Sequence, residues 1–464
     1  MKKTVKTMVL FGLALLQLEG FADYDSTYNP ASHAAFVIDQ ANVDLGLGQG
    51  VFKGWVQVED GRITAVGAGD AKIPDGFKQI DASGQWLTPG IIDVHSHLGD
   101  YPSPSYRAHS DGNEATSPVT AEVWAEHSVW PQDPQFPLAL AGGVTTLQVL
   151  PGSANLFGGR SVVLKNVWSR TVQGMKFPGA PYGLKMACGE NPKRVYGSKS
   201  RSPSTRMGNF AGYRKAWIDA QEYQKKWQAY DKALEDYEAW KSASDGTDYK
   251  ARPSPPKRDL KMETLVGVLE GEILVHNHCY RADEMAQIID LSKEFGYQVT
   301  AFHHAVEAYK IGDLLAANNT CSAMWADWWQ FKLESFDGVK ENVAMVEAAG
   351  ACAIVHSDSA TGIQRLNQEA AKAMAAGGRL GLAVDPSIAL TWITKNAAQA
   401  LGVLAQTGTI EIGKMADLVL WSDEPMSVYA RAETVFIDGV THFDRRAGIA
   451  PITDFEIGQR EEIF

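Results

Sequence analysis

Two histidines stand one residue apart at the end of an apolar run, in the stretch PGIIDVHSHLGDY. The preceding residues Ile91, Ile92 and Val94 predict a buried strand. Because residues i and i+2 of a strand project from the same face, His95 and His97 point in the same direction, about 6.5 to 7 Å apart along the chain. Imidazoles that converge in this way are candidate ligands of a divalent metal.

Most of the remaining histidines occupy equivalent places. Of the 11 histidines, seven fall at the carboxyl ends of apolar strand-like runs: His95, His97, His276, His278, His303, His304 and His356. An isolated histidine on a strand is more often a hydrogen-bonded core residue than a ligand. Several imidazoles together with the carboxylates of Glu190 and Asp358 suit a divalent metal such as zinc, whose nitrogen and oxygen ligands lie at about 2.0 to 2.2 Å.

The elements that must position these residues are strands alternating with helices. Between Trp86 and Gly402, apolar runs such as GVTTLQVL, GLKMAC, EILVHNH and QVTAFHH are separated by helical patterns such as ADEMAQIIDLSKEF. This alternation predicts an α/β fold, a (β/α)₈ TIM barrel in which strand ends converge on one face. The alternative is a doubly wound open sheet.

The two chain ends have a different pattern. Short strands punctuated by glycine occupy residues 34–88, where Glu59-Asp60-Gly61 predicts a hairpin turn, and residues 403–446. They predict a small β-sandwich domain formed from both ends, flanking a barrel at 89–402. Within the barrel, a helical insertion near 211–258 contains an amphipathic helix with an aromatic stripe, which indicates packing on the barrel exterior or, alternatively, a lid or dimer contact.

The charge balance disfavours some classes of partner. With 55 acidic and 43 basic residues the net charge is −12, which opposes binding to nucleic acid or to an anionic membrane surface. We expect a small-molecule substrate. The composition is compatible with a homo-oligomer.

The N-terminus resembles an export signal. A lysine-bearing start precedes an apolar run from Met8 to Leu18 and small residues at Gly20 and Ala22, which predicts a signal peptide over residues 1–22. The run is shorter than the roughly 20 residues that span a bilayer, so we expect cleavage, no stable membrane span, and a periplasmic or secreted protein.

Four cysteines in an exported protein would ordinarily suggest disulfides. Here Cys188, Cys279, Cys321 and Cys352 each lie in or beside an apolar strand-like run. This placement favours small buried thiols.

Several segments together resemble one family. The stretches TPGIIDVHSHLG, HNHCYRADE, FHHAVEAYKI, IVHSDS and GTIEIGKMADLVLW are similar to the metal-dependent amidohydrolase superfamily, close to its imidazolonepropionase-like and prolidase-like branch. The resemblance runs from about Val51 to Gly439 and excludes the aromatic insertion. It implies a barrel hydrolase that cleaves a C–N bond with a metal-activated water.

The resemblance also implies a ligand set, with two divalent ions, as Zn²⁺, per chain. His95 and His97 would bind one ion, His278 and His304 the second, and Asp358 would join the first and handle protons. Strand alternation places His303 and His304 on opposite faces, so only one of them can easily face the metals, and the family pattern favours His304. His356 shares the face of Asp358 and is equally well explained as a partner of the ligands or as a packed core residue.

The bridging ligand in this family is usually a carboxylated lysine or a glutamate. Lys185 and Glu190 differ in strand phase, so a regular strand directs only one of them inward. Glu190 is favoured, because it lies at the strand end and shares its phase with Leu184 and Met186 as barrel fillers. A bulge at Gly189 would reverse this choice.

The expected reaction is hydrolysis of an amide, linear or cyclic, in an amino-acid, dipeptide or cyclic amide substrate. The residues predicted to contact the substrate lie in loops after strands and include arginines suited to a carboxylate: Gly159, Arg160, Arg194, Tyr196 and Arg281. Two alternatives remain, a one-metal deaminase of the same superfamily and a catalytically silent ligand-binding protein of the envelope.

Overall fold

The computed structural model describes residues 24–245 and 248–447, so the predicted signal peptide lies outside the described residues. The strands are β1 (Phe36–Asp44), β2 (Val51–Glu59), β3 (Arg62–Ala68), β4 (Lys78–Asp81), β5 (Trp86–Pro89), β6 (Ile91–Ser96), β7 (Val144–Val149), β8 (Phe157–Lys165), β9 (Gly183–Ala187), β10 (Leu274–Cys279), β11 (Val299–His304), β12 (Cys321–Met324), β13 (Ala353–Val355), β14 (Leu418–Trp421), β15 (Ala432–Ile437) and β16 (Val440–Asp444). The helices are α1 (Gln135–Leu140), α2 (Glu190–Gly197), α3 (Arg206–Ala243), α4 (Leu260–Leu269), α5 (Ala282–Phe295), α6 (Gly312–Ala317), α7 (Asn342–Ala348), α8 (Leu366–Arg379), α9 (Pro386–Thr391) and α10 (Lys395–Ala400).

The two chain ends join in one sheet. Its strand order is β16-β15-β14-β5-β1-β2-β3, and β4 branches off by pairing with β1. The predicted hairpin turn is confirmed, since β2 ends at Glu59 and β3 begins at Arg62. The apolar face of this sheet buries a core of its own that includes Ile38, Val56 and Leu418.

The second sheet is a nearly closed barrel of eight strands in the order β13-β12-β11-β10-β9-β8-β7-β6. Its edge strands meet where the backbone N–H of Asp358 donates to the carbonyl of His95 at 3.0 Å. The predicted barrel with a β unit from both ends is confirmed. One strand departs from the regular alternation, because β8 is antiparallel to both β7 and β9. Only residues 150–156 connect β7 to β8, and a parallel crossover needs a dozen or more.

The aromatic insertion is built around one long helix, α3, which ends at Ala243. The predicted helix lies within α3, whose first half buries Tyr213, Trp217 and Tyr223. The side chains of Trp217 and Tyr297 lie 4.5 Å apart between ring centroids, so this half packs against the barrel's outer layer. The second half carries salt bridges such as Lys232–Asp236 on its exposed face.

A buried ion cluster joins the barrel to the end sheet. The ammonium of Lys165, at the end of β8, lies 3.2 Å from Asp417 and 2.6 Å from Asp438. The side chain of Lys165 is fully buried, and the carboxylates of Asp417 and Asp438 are its ionic partners there. Because Asp417 immediately precedes β14, the ion pair fixes the start of that strand against the barrel wall.

The cysteines form disulfides, so the expectation of free thiols was wrong. Cys188 bonds to Cys279 and Cys321 bonds to Cys352, which leaves no free cysteine among the described residues. Each pair lies one residue beyond a matched pair of neighbouring parallel strands: Ala187 opposite His278 in β9 and β10, and Ser322 opposite Ala353 in β12 and β13. This register brings the two Cα atoms to 5.2 Å in the Cys188–Cys279 pair and to 4.4 Å in the Cys321–Cys352 pair. The order of residues along the chain does not show this proximity, because it depends on how the strands align.

None of the helices in the described ranges is both long enough and apolar enough to cross a membrane.

Candidate metal centre

The ends of β6 and β13 bring three predicted ligands together. His95, His97 and Asp358 each offer one ligand atom, and these atoms lie within 4.8 Å of one another. A carboxylate oxygen of Asp358 lies 3.3 Å from Nε2 of His97 and 3.6 Å from Nε2 of His95. Two imidazoles and a carboxylate in this arrangement form a typical nitrogen and oxygen donor set for a divalent metal.

The histidines from β10 and β11 complete the cluster. Nε2 of His304 lies 3.9 Å from the second carboxylate oxygen of Asp358, and the rings of His278 and His304 lie 4.6 Å apart. His304 has a φ of 72° and Asp358 a φ of 46°, a left-handed conformation that is uncommon for residues other than glycine. Strain of this kind concentrates at functional sites, and here it turns two side chains toward the same centre.

This conformation also explains why strand alternation failed at His303 and His304. His303 follows the regular register beside His278 and faces the barrel interior. His304 ends the strand with its left-handed backbone, so its side chain turns inward as well. Both histidines therefore reach the barrel interior. His304 lies at the level of the metal-facing groups, and His303 lies in the layer beneath them.

The sequence left the role of His356 open, and the structure places it in the cluster. Ligand atoms of His95, His304 and His356 lie within 4.8 Å of one another. Both ring nitrogens of His356 are buried and lack a hydrogen-bond partner. A fully buried imidazole without a partner is costly unless another group, such as a metal ion, occupies the space beside it.

Beneath the metal-facing atoms, three imidazoles form a chain of hydrogen bonds. Nδ1 of His95 lies 2.8 Å from Nδ1 of His303, and Nε2 of His303 lies 2.8 Å from Nδ1 of His276. With a metal ion on Nε2 of His95, its Nδ1 would carry the proton and donate to Nδ1 of His303. His303 must then donate from Nε2 to His276, so the whole chain has one order of tautomers.

A buried aspartate that the sequence analysis missed holds β6 and β13 together. Asp93 accepts hydrogen bonds from the backbone N–H groups of His95 and Ser357, at 3.1 and 3.2 Å, and from the hydroxyl of Ser357. Burial raises the pKa of Asp93 to about 7, although these hydrogen bonds oppose the shift. The signal was visible, because Asp93 is a charged residue inside an apolar strand and shares its phase with His95 and His97.

The choice of Glu190 over Lys185 does not agree with the structure. The side chain of Lys185 is fully buried in the barrel, and its Nζ lies 3.5 Å from Nε2 of His95. Glu190 begins α2 outside the cluster, where its nearest ionic partner is Lys332 at 4.0 Å. Strand β9 ends at Ala187 and Gly189 adopts a φ of 76°, so strand phase cannot be extended to residue 190.

Burial and charge oppose one another at this centre. Burial alone would raise the pKa of Asp358, but the hydrogen bond and charge of His97, together with His356 and Lys185, hold it below its usual value. Burial lowers the pKa of Lys185 to about 7, and Asp358 partly opposes that shift. The cluster therefore contains an ionised carboxylate beside an amine that titrates near neutral pH.

Two predicted substrate contacts, Gly159 and Arg160, lie within β8, where Gly159 is the backbone neighbour of Lys185 in β9. The Cβ of any other residue at Gly159 would meet the carbonyl oxygen of Val123 at 2.3 Å, so the close approach there is to the protein's own backbone. Arg160 donates from Nε to Thr264, and its guanidinium lies 4.3 Å from the ring centroid of Trp124. The prediction of a loop here was wrong because β8 runs antiparallel.

The other three predicted substrate contacts are also engaged elsewhere or exposed. The hydroxyl of Tyr196 donates to the carbonyl of Ser117 at 2.6 Å and the side chain is fully buried. Arg281 pairs with Asp283 at 3.0 Å. Arg194 is exposed on the last turn of α2. The first turn of α2 contributes Asn191 instead, whose amide lies 3.4 Å from Nε2 of His278.

The residues present fit a bound divalent metal. Buried Nδ1 atoms of His278 and His304 and both nitrogens of His356 lack hydrogen-bond partners. Burial lowers the pKa of His95, His278 and His304 well below the usual histidine value, so these rings are neutral, the form that binds metals.

Comparison with known proteins agrees with this geometry. Residues 273–442 match the model of the Amidohydrolase family. The chain is 32% identical over 415 residues to amidohydrolase tasK of Hapsidospora irregularis, a match that covers 86% of this chain but only 41% of that protein. It is 25% identical over 434 residues to the imidazolonepropionase of Mesorhizobium japonicum, covering 82% of this chain and 88% of the relative.

A crystal structure of an amidohydrolase from Thermotoga maritima MSB8 is similar over nearly the whole barrel and end sheet. Its identity to this chain is 35%, its TM-score is 0.78, and the match covers 88% of this chain and 100% of that one. The agreement in sequence and in fold leads to one conclusion. The chain belongs to the amidohydrolase family.

Proposed function

We propose that the protein is a metal-dependent hydrolase that cleaves the C–N bond of an amide, linear or cyclic, in a substrate of the amino-acid, dipeptide or cyclic amide type. The observation that carries the proposal is the convergence of His95, His97 and Asp358 within 4.8 Å at the carboxyl end of the barrel, beside the buried amine of Lys185. Membership of the amidohydrolase family supports a hydrolase, and the arrangement of side chains supports the bond type.

The residues divide into two groups of ligands. His95, His97 and Asp358 would hold one divalent ion, as Zn²⁺, and His278 and His304 a second. Lys185 replaces Glu190 as the proposed bridging group, in its carboxylated form, because its amine already lies beside His95. When bound, such ions lower the pKa of water toward about 7 and polarise a carbonyl oxygen.

The chain's own groups would move the protons. Asp358 is ionised and 24% exposed, so one carboxylate oxygen can reach the attacking water. It would accept the proton of that water and return it to the leaving nitrogen as the C–N bond breaks. Asp93 and Ser357 hold the backbone on which Asp358 is mounted, which keeps the carboxylate in place.

Location and assembly are part of the proposal as well. Two disulfides support export to the periplasm or beyond, where thiols are oxidised. The substrate would be a small molecule, and a homo-oligomer is compatible with the fold.

Counting metals tests the proposal. Elemental analysis of the chain from Asp23, purified without chelator, should find close to two ions per chain. Lys185→Met should lower the number to one or fewer, whereas Glu190→Gln should leave it unchanged. A single ion unaffected by either change would favour a one-metal deaminase, and no ion would contradict the proposed centre.

Activity provides the second readout. In a screen of N-acyl amino acids, dipeptides and cyclic amides, Asp358→Asn should abolish hydrolysis while the exposed Asp75→Asn should retain it. Equal activity in both variants would show that Asp358 does not handle the proton. Absence of hydrolysis from every metal-loaded sample would favour a silent ligand-binding protein.

A further inference from the structure

The segment from Trp325 to Phe336, here named the aromatic loop, presents large apolar side chains to solvent. Trp328 is 42% exposed, Trp329 53% and Phe331 55%. The loop backbone is held by its own contacts, since Nε1 of Trp329 donates to the carbonyl of Phe336 at 2.7 Å. Soluble proteins seldom expose clustered aromatic groups unless they bind something.

The aromatic loop is joined directly to the metal centre. The ring of Trp325 stacks on His304 with 4.3 Å between centroids, and its Nε1 donates to the carbonyl of Ser357 at 3.0 Å. Trp328 in turn stacks on Trp325 at 4.8 Å, with an angle of 14° between the planes. A continuous stack therefore extends from a candidate ligand to the protein surface.

A cavity of about 440 Å³ lies along this stack, and His304 lines it as well as the metal centre. Its walls include Trp325, Trp328, Trp329 and Val306. Two charged residues also line the cavity: Asp327, which pairs with Lys372 at 3.0 Å, and Lys340. The volume lies in the range typical of ligand sites, and the indole faces favour an apolar occupant.

We propose that this cavity is the subsite for an aromatic or large aliphatic group of the substrate, and that the enzyme prefers amides bearing such a group. This inference rests on the proposed function, because the cavity adjoins the centre where the amide would react. Burying an apolar side chain between the indoles would hold the scissile bond at His304 and Asp358.

A matched pair of neutral amides tests the inference: N-acetyl-L-phenylalaninamide and N-acetylglycinamide, titrated into the metal-loaded full chain by calorimetry, with product release followed in parallel. We expect the phenylalanine compound to bind at least tenfold more tightly, or to show a kcat/KM higher by the same factor. Trp328→Ala should remove most of this preference. Tyr429→Ala, an exposed aromatic residue outside the cavity, should retain it.

The outcomes separate this inference from the proposed function. Equal affinity for the two compounds, binding of neither, or a preference that survives both Trp328→Ala and Trp329→Ala would overturn the subsite. A dimer that dissociates in Trp328→Ala, without any aromatic preference, would assign the surface to a second copy of the chain and overturn it too. An intact preference with no hydrolysis of any amide would support the subsite and count against the proposed hydrolase alone.

Discussion

Replacing His303 with phenylalanine tests how the imidazole chain positions His95. Phenylalanine has a similar size and keeps the aromatic packing, but it removes both hydrogen-bonding nitrogens. Nδ1 of His95 and Nδ1 of His276, each 2.8 Å from a nitrogen of His303, would lose their partners. The ring of His95 would then be free to turn or to adopt the wrong tautomer.

The expected size of the effect follows from those two lost contacts. Each buried nitrogen left without a partner costs about 1 to 3 kcal/mol, so the free energy of unfolding should fall by about 2 to 6 kcal/mol. Loss of a group that orients a metal-binding histidine typically weakens metal affinity about 10- to 100-fold. Affinity for zinc should therefore fall within that range.

Two measurements check the prediction: zinc affinity by competition with a chelating dye, and denaturant unfolding of the metal-free chain. His442→Phe is a matched control, because His442 is a histidine of the end sheet whose pKa burial also lowers, to about 4. It should leave zinc affinity unchanged. Zinc affinity of His303→Phe within twofold of the unsubstituted chain would refute the positioning role.

Three further predictions concern stability and the revised roles of single residues. Replacing Cys188 and Cys279 with alanine opens a loop of 91 residues and should lower the free energy of unfolding by about 2 to 5 kcal/mol in denaturant titrations; no change would mean that the bond does not form. Burial, together with the charge of Glu334, raises the pKa of Glu284 from 4.5 to about 7, so the folded chain keeps a proton that the unfolded chain releases. Stability should therefore decline by up to about 3 kcal/mol as the pH rises through that interval, and Glu284→Gln should flatten this dependence. Tyr196→Phe should cost about 1 to 3 kcal/mol of stability with KM unchanged, and a large rise in KM would restore Tyr196 as a substrate contact.

The local sequence pattern was sufficient to predict the barrel, the end sheet and the positions of most of the candidate histidine ligands. Alternation of apolar strands with amphipathic helices follows from burial on each element, so it is written directly in the order of residues. The same holds for His95, His97, His278 and Asp358, whose positions at strand ends place them at one face of any such barrel.

Contacts between strands decided the rest, because they depend on register and direction. Sequence alone did not reveal that β8 is antiparallel, which moved Arg160 away from the centre. Nor did it show that the left-handed backbone of His304 turns a side chain inward against alternation, or that β9 ends before Glu190 and leaves Lys185 facing His95. The disulfides have the same origin, since two cysteines far apart along the chain become neighbours only when parallel strands align. Residue type and spacing determined which chemistry was available to this protein, whereas the register of the closed barrel decided which residues meet to perform it.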